Sequence, residues 1–511
     1  MLARFCDLWF CAILALIVFI LCVWQINDGH SWGGDFSGYI AQAIALTQGE
    51  VAQYIADNTL MMTKSDWLIG PYVYPWGFPM LLAMAYKIFG FNIVAFKSVG
   101  IICYTLFVGI FYIFCANRIP RIYAIFATLL FALNPYMTNF SANEICSDIP
   151  FMLFGFVALI ILAKLFSKTT QYSMGGGRSN NGIYIAIFGG IFMLFATMIR
   201  INGLVIFCAL IAMHGILILK RFAPKIFTTK ILKPFSRIDS PYSWQINAIP
   251  YAIFIVGFAI VSITLSSGGS GHWSILANMS VESVLRNFDF YIYSIMTLED
   301  FLAINVVVGR IVFVLSVILY CIAFRSILRD NSFAENIFYI IFALGFFMLL
   351  VMWFYVVWLR FAYLLLPFLV FWCAKGIAYL NANNKIFGRT ISIVILVILA
   401  HSAYNQLSSF ENNIISKVAY SKEAKEMWAF IDKNTPKDAV ILFHKPRVLY
   451  LNAHRISFAS NNIARFNEAD FVLWERDLWS NVINIDSDEF IKRTKLIYKN
   501  AQFKLFKVIK Q

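Results

Sequence analysis

GGDFSGYIAQAIALTQG, residues 33–49, puts a lone carboxylate, Asp35, in the first hydrophilic stretch of the chain. The uncharged run Leu8–Ile26 comes directly before it, and two further acids, Glu144 and Asp148, return to the same face once the later apolar runs are threaded. Long apolar helices with carboxylates gathered at one rim describe chemistry at a membrane surface, not passage through it.

Composition supports that class. Of 511 residues, 60% are hydrophobic, 17% aromatic and only 13% charged, with a mean hydropathy of +0.73. A soluble globule cannot hide that much apolar surface. Leu8–Ile26, Ser98–Asn117, Ile122–Asn143 and Ile337–Leu359 carry no charged residue and approach or exceed the roughly 20 residues that cross a bilayer. Eleven spans are expected: 8–26, 93–116, 120–136, 149–166, 182–199, 201–220, 246–266, 306–324, 336–357, 360–379 and 388–405. The first has a weak basic flank, Arg4, and no small-residue cleavage site, so it reads as a retained span. Tyr74–Gly90 is short and holds two prolines, which suits an interfacial or re-entrant helix.

Basic residues set the orientation, because Lys and Arg in short loops gather on the cytoplasmic side. With a cytoplasmic N-terminus the inner loops hold Arg118, Arg121, Lys164, Lys168, Arg178, Arg325, Arg329, Lys375, Lys385 and Arg389, together with the cluster from Lys220 to Arg237. The outer loops hold fewer, chiefly Lys64, Lys87, Lys97, Arg200, Arg286 and Arg360. The net charge of +14 is therefore mainly a topology signal, and its scatter over separate loops argues against nucleic acid as a partner.

The outer face then receives 27–92, 134–148, 267–305 and the tail. Charges appear every few residues beyond Gln406, which divides the chain into a membrane domain, 1–405, and a soluble α/β domain, 406–511. Within the tail, Lys422–Lys433 has helical spacing, Ala439–Phe443 reads as a strand, and the stretch from Leu496 as two strands around a turn. The fold class expected is an α-helical polytopic membrane protein of about eleven spans plus an interfacial helix and a small α/β domain.

Cysteine and histidine spacing gives no disulfide framework and no zinc motif. Cys146 in an outer loop reads as a small buried side chain, and His30 lies five residues before Asp35. Gly175–Gly177 is a cytoplasmic turn without the pattern of a phosphate loop. No cofactor is called for; acids in the outer loops could hold a divalent ion, but no ligand spacing requires one.

Asp35 in its G-G-D-x-x-x-Y-x-x-Q-A context, YPWGFPMLLAMAYKIFG (74–90) and NPYMTNFSANEICSDIPF (134–151) resemble the opening of the polyprenyl-phosphate-sugar-dependent GT-C glycosyltransferases. Family 39, with the protein O-mannosyltransferases and the lipid A aminoarabinose transferase, is the nearest type. TMIRING (197–203), LRFAYLLLPFLVFW (359–372) and TPKDAVILFHKPRVLYLNAHR (435–455) are similar to its later blocks. The resemblance implies transfer of a sugar from a polyprenyl-phosphate donor to an acceptor hydroxyl on the extracytoplasmic face, with inversion by direct displacement. Its partners would be the lipid-linked donor, a lipid or glycan acceptor and membrane lipids.

The resemblance makes Asp35 the general base; an ordinary N-cap for the helix from Phe36 is the alternative. Asp148 matches a second acid that orients the acceptor or tunes the base, or else caps the next helix, and Glu144 stands one helical turn earlier. The departing phosphate needs positive charge. Lys64 resembles the phosphate-contacting lysine of the aminoarabinose transferase, and Arg200 and Arg360 at outer span ends could grip the phosphate in bidentate fashion. Each could instead snorkel to lipid headgroups, and Arg310 is a candidate of the same kind. His444-Lys445-Pro446-Arg447 and His454-Arg455 either cover the site or solvate the small domain.

The protein O-mannosyltransferases carry a lectin-like domain between late spans, where this chain has about forty residues. That departure favours a bacterial enzyme of the inner membrane acting on lipid or glycan. A transporter or flippase of a lipid-linked or small polar substrate is the rival; it would place acids or polar breaks near the bilayer midplane, where these spans are almost free of carboxylates. A non-catalytic scaffold is a third reading.

Overall fold

A computed structural model describes residues 2–167, 178–229, 232–265, 279–298, 302, 304–353, 357–410, 418–476 and 483–510. Lys168, Gly175–Gly177, Lys230 and much of 267–305 lie outside them.

The membrane domain runs α1 (Leu2–Gln25), α2 (Gly34–Gln48), α3 (Val51–Lys64), α4 (Gly77–Phe89), α5 (Ile93–Ala116), α6 (Arg121–Ala132), α7 (Pro135–Asn143), α8 (Asp148–Ala163), α9 (Arg178–Ile199), α10 (Leu204–Phe222), α11 (Trp244–Thr264), α12 (Val281–Thr297), α13 (Val306–Ile327), α14 (Phe333–Val351), α15 (Leu366–Asn383) and α16 (Lys385–Phe410). Among the described residues eight helical segments are long and apolar enough to cross a membrane, beginning at Asp7, Ile93, Asp148, Asn181, Ile201, Trp244, Val306 and Phe333. The remaining expected spans fall on helices that are shorter or less apolar. The span expected over 120–136 stops at Ala132, because the Asn134 side chain accepts from the Met137 amide at 2.9 Å and Pro135 starts a separate helix. The one expected from 360 opens as a 3₁₀ turn, Leu359–Ala362, and becomes an α-helix only at Leu366. Tyr74–Gly90 becomes the 13-residue helix α4, too short to span.

Burial explains how the helices pack. On α1, Leu14, Val18 and Cys22 are buried at a spacing of four, against α5 and α7, while Leu8, Trp9, Ile13, Leu16 and Ile20 are exposed. A helix with one packed stripe and an exposed face of large apolar residues suits lipid as its outer solvent. Inside, Phe107 and Phe111 meet Phe131 edge-on at 5.3 and 5.1 Å, and Phe156 reaches Phe368 at 5.3 Å, joining α5, α6, α8 and α15.

The C-terminal domain adds α17 (Lys422–Asn434), β1 (Val440–Leu442), α18 (Pro446–Ala453), β2 (Ile456–Phe458), β3 (Phe471–Glu475), α19 (Asp488–Arg493), β4 (Thr494–Lys499) and β5 (Phe503–Val508). Its five strands lie in the order β2-β1-β3-β5-β4. β1 pairs in parallel with β2 and β3, and β5 runs antiparallel to β3 and β4. The tail helix and the hairpin expected from the sequence are thus both present. The β1-α18-β2 crossover lays α18 against α2 and α3 and so brings the tail to the helix that carries Asp35.

Candidate active site

Asp35 sits in the first turn of α2, one residue inside a helix whose cap position is Gly33, and no side chain caps that end. The N-cap alternative is therefore corrected: the carboxylate is free to point away, and the helix N-terminus favours its negative charge. Oδ1 accepts a 2.6 Å hydrogen bond from the Tyr74 hydroxyl, Oδ2 lies 3.8 Å from Arg360 Nη2, and the side chain is 47% exposed. Tyr74 is held at both ends of its backbone by Gln42, whose amide donates to the Tyr74 carbonyl at 3.0 Å and accepts from its N–H at 2.9 Å.

Asp148 is the first residue of α8 and is buried. It does not cap; it forms a charge-assisted pair with Arg200, the residue that follows α9. The neighbouring Ser147 hydroxyl shares a 2.9 Å hydrogen bond with Tyr39, and the Tyr39 ring lies 4.2 Å from that of Tyr74. Arg200 and Arg360 each lie 5.2 Å from the Phe361 ring, and Arg360 also stacks on Trp358 at 4.1 Å. The two arginines are thus close together, but Arg200 is already paired while Arg360 approaches Asp35 only loosely.

Glu144 ends α7, and residues 145–147 separate it from α8, so it is not one helical turn from Asp148 as expected. Its carboxyl is pushed up by burial, opposed by Arg360 and Lys97 and reinforced by Asp148 and Asp35. His30 Nε2 lies 3.8 Å from Glu144 but accepts from the Ile145 amide at 3.2 Å, while Nδ1 donates to the Ser31 carbonyl at 3.1 Å. Burial lowers the His30 pKa to about 3, so this histidine is a neutral brace. Lys97, counted above as a loop charge, is buried and donates to the Asn27 and Gly29 carbonyls and to Asn27 and Asn143 side chains. It fixes the approach to Asp35 as an internal staple.

The structure does not bring every candidate together. Lys64, at the end of α3, lies 6.0 Å from the Phe458 ring on the C-terminal domain, and Arg310 is exposed on α13. Cys146 is buried, as the bland reading expected. Among the described residues no three His, Cys, Asp or Glu side chains group to hold a metal ion.

The tail contributes more than surface charge. Arg447 and Arg455 are 3% and 2% exposed, which corrects the reading that they solvate a small domain. Arg455 ties α17 to the turn before β2 through Thr435, Asp432 and Ala453. Arg447 leaves its own domain and enters the loop before α4. Lys445, which precedes α18, is lowered by burial and held up by the nearby charge of Asp35. The sequence offered this motif as a cover for the site but named no partner for Arg447; a sequence separation of 373 residues between Tyr74 and Arg447 leaves no local signal.

The site is an acid and two arginines at helix ends in a membrane bundle, closed on one side by a small mixed sheet. The same fold occurs in ArnT from Cupriavidus metallidurans bound to undecaprenyl phosphate (TM-score 0.56, 10% identity, covering 97% of each chain). It occurs also in the oligosaccharyltransferase AglB from Archaeoglobus fulgidus, solved with an inhibitory peptide and a dolichol-phosphate (TM-score 0.54, 11% identity, covering 93% of this chain and 70% of that one). At this identity the likeness is one of fold, and it is the fold that the sequence resemblance implied. No family model and no curated protein sequence matches it.

Proposed function

We propose that this chain is a membrane glycosyltransferase, moving a sugar from a polyprenyl-phosphate donor to an acceptor hydroxyl in cell-envelope lipid or glycan. The observation that carries the reading is Asp35, a half-exposed carboxylate with one oxygen bound by Tyr74 and the other turned toward Arg360. The acceptor oxygen attacks the anomeric carbon as Asp35 takes its proton. The bond from that carbon to the donor phosphate oxygen breaks, the electron pair leaves with the polyprenyl phosphate, and the anomeric centre inverts. Arg360, 3.8 Å from Asp35, and Lys445, whose charge Asp35 supports, meet the charge that develops on the leaving group. Asp148 neutralises Arg200 and holds the floor of the site, with Glu144 beside it. Lys64, at the seam with the C-terminal domain, is kept as an outlying phosphate contact.

The reaction belongs on the extracytoplasmic face of a bacterial inner membrane, where the loops from 27 to 92 and the C-terminal domain are expected to lie. The chemistry-bearing groups stand at helix ends and in loops, which favours a surface reaction over a transport path along the midplane. Binding of a polyprenyl phosphate in detergent tests the cation assignment. Arg360→Ala and Lys445→Ala should each weaken it about tenfold or more, as expected for a lost contact to a charged group, and unchanged affinity in both would remove it.

A further inference from the structure

Arg447 is a buried guanidinium seated outside its own domain. Nε donates to Asn58 at 2.9 Å, Nη1 to the Tyr74 hydroxyl at 3.0 Å, and Nη2 to the Pro71 carbonyl and, at 3.5 Å, to Met62 Sδ. Gly70, at φ +131°, makes room: a Cβ there would stand 2.2 Å from Arg447 Nη1 and 3.0 Å from the Tyr74 hydroxyl. Among the described residues no carboxylate comes within 4 Å of this charge, and the only acid bonded to one of its partners at this end is Asp35, through Tyr74.

We infer that Arg447 is a positioning residue that orients Asp35 through Tyr74, so that docking of the C-terminal domain sets the geometry of the base. A guanidinium only donates, so the Tyr74 oxygen must accept from Arg447. The one hydroxyl proton of Tyr74 is then turned away and pinned on Asp35 Oδ1, 2.6 Å distant. Oδ2 is left as the oxygen that faces Arg360 and the open side. Without Arg447 the hydroxyl can rotate to accept or donate elsewhere, and the carboxylate loses its fixed orientation. The inference rests on Asp35 being the base.

Two readouts test it. The first needs no turnover: the rate at which a water-soluble carbodiimide labels Asp35 in the purified full chain, read by peptide mass spectrometry. Tyr74→Phe and Arg447→Met should each raise it several-fold by releasing Oδ1, and the double variant no further than either single one, because both act on one hydrogen bond. The second is transfer kinetics. Both variants should lower kcat about tenfold with the KM for the donor unchanged, and Arg447→Lys should recover part of the loss. A merely structural arginine would give labelling that is unchanged, or effects that add in full to those of Tyr74→Phe; either overturns the inference. Should Arg447→Met fail to fold, Arg447→Lys, which keeps the buried charge, takes its place in the cycle. A wild type that transfers nothing while the labelling still couples would remove the glycosyltransferase reading and leave the link between Arg447 and Asp35 standing.

Discussion

Asp148 and Arg200 show how a charged pair can be structural and still shape a site. The Asp148 side chain is 4% exposed and that of Arg200 19%. Removing one partner strands the other, so Asp148→Ala should cost about 3–5 kcal/mol, read as a clear fall in unfolding temperature in detergent. A paired Asp148→Leu, Arg200→Met variant should recover most of it; if the double variant is no more stable than the single one, the pair is not what holds this corner. The sequence pointed to both residues but to different duties, phosphate binding for one and acceptor orientation or capping for the other. Nothing local in a separation of 52 positions says that two helix ends meet.

At the scale of elements, the short helix α4 packs through a glycine. A Cβ on Gly77 would lie 2.6 Å from the Ile199 nitrogen and the Met198 carbonyl carbon, both backbone atoms that cannot swing aside. Gly77→Ala should therefore push α4 from the end of α9, next to Arg200, at about 1–3 kcal/mol. Thermal unfolding within 0.5 kcal/mol of wild type, a margin typical of neutral surface changes, would contradict that contact. Long apolar runs were legible because a bilayer demands length and greasiness together, and α4 was legible because it is too short. The ends were not: Asn134 and Pro135 break the run 122–143 by a cap that composition cannot register. Of the site, Asp35 and Arg360 were readable from their neighbouring motifs. The clamp of Gln42 on Tyr74 and the reach of Arg447 were not, since both depend on tertiary placement.

For the whole molecule, the central question is how firmly the C-terminal domain sits. Besides Arg447, the seam holds Asp66, which pairs with Arg465 and accepts from Ser460, while Arg465 also binds Glu468. The Asp66 carboxyl is held below its usual 3.8 by the Ser460 hydrogen bond and by Arg465, and Glu468 below its usual 4.5 chiefly by Arg465. Depressed carboxylates contribute docking stability above their unfolded values and lose it as pH falls through the folded ones. Only Asp66 of the two is bonded across the seam, so docking should hold from neutral pH to about 3.8 and loosen below that. Hydrogen exchange in 54–74 as a function of pH reads this directly, and protection that is flat down to pH 3 would exclude the seam carboxylates. The glycosyltransferase reading itself turns on Asp35. The most direct measurement is transfer of radiolabelled sugar from a panel of polyprenyl-phosphate donors to membrane glycolipid and glycan, comparing wild type with Asp35→Asn at matched expression. Transfer by the wild type and its loss in the variant, with folding and donor binding intact, is the expected result; equal turnover in both would contradict Asp35 as the base, and no transfer by either would contradict the reaction.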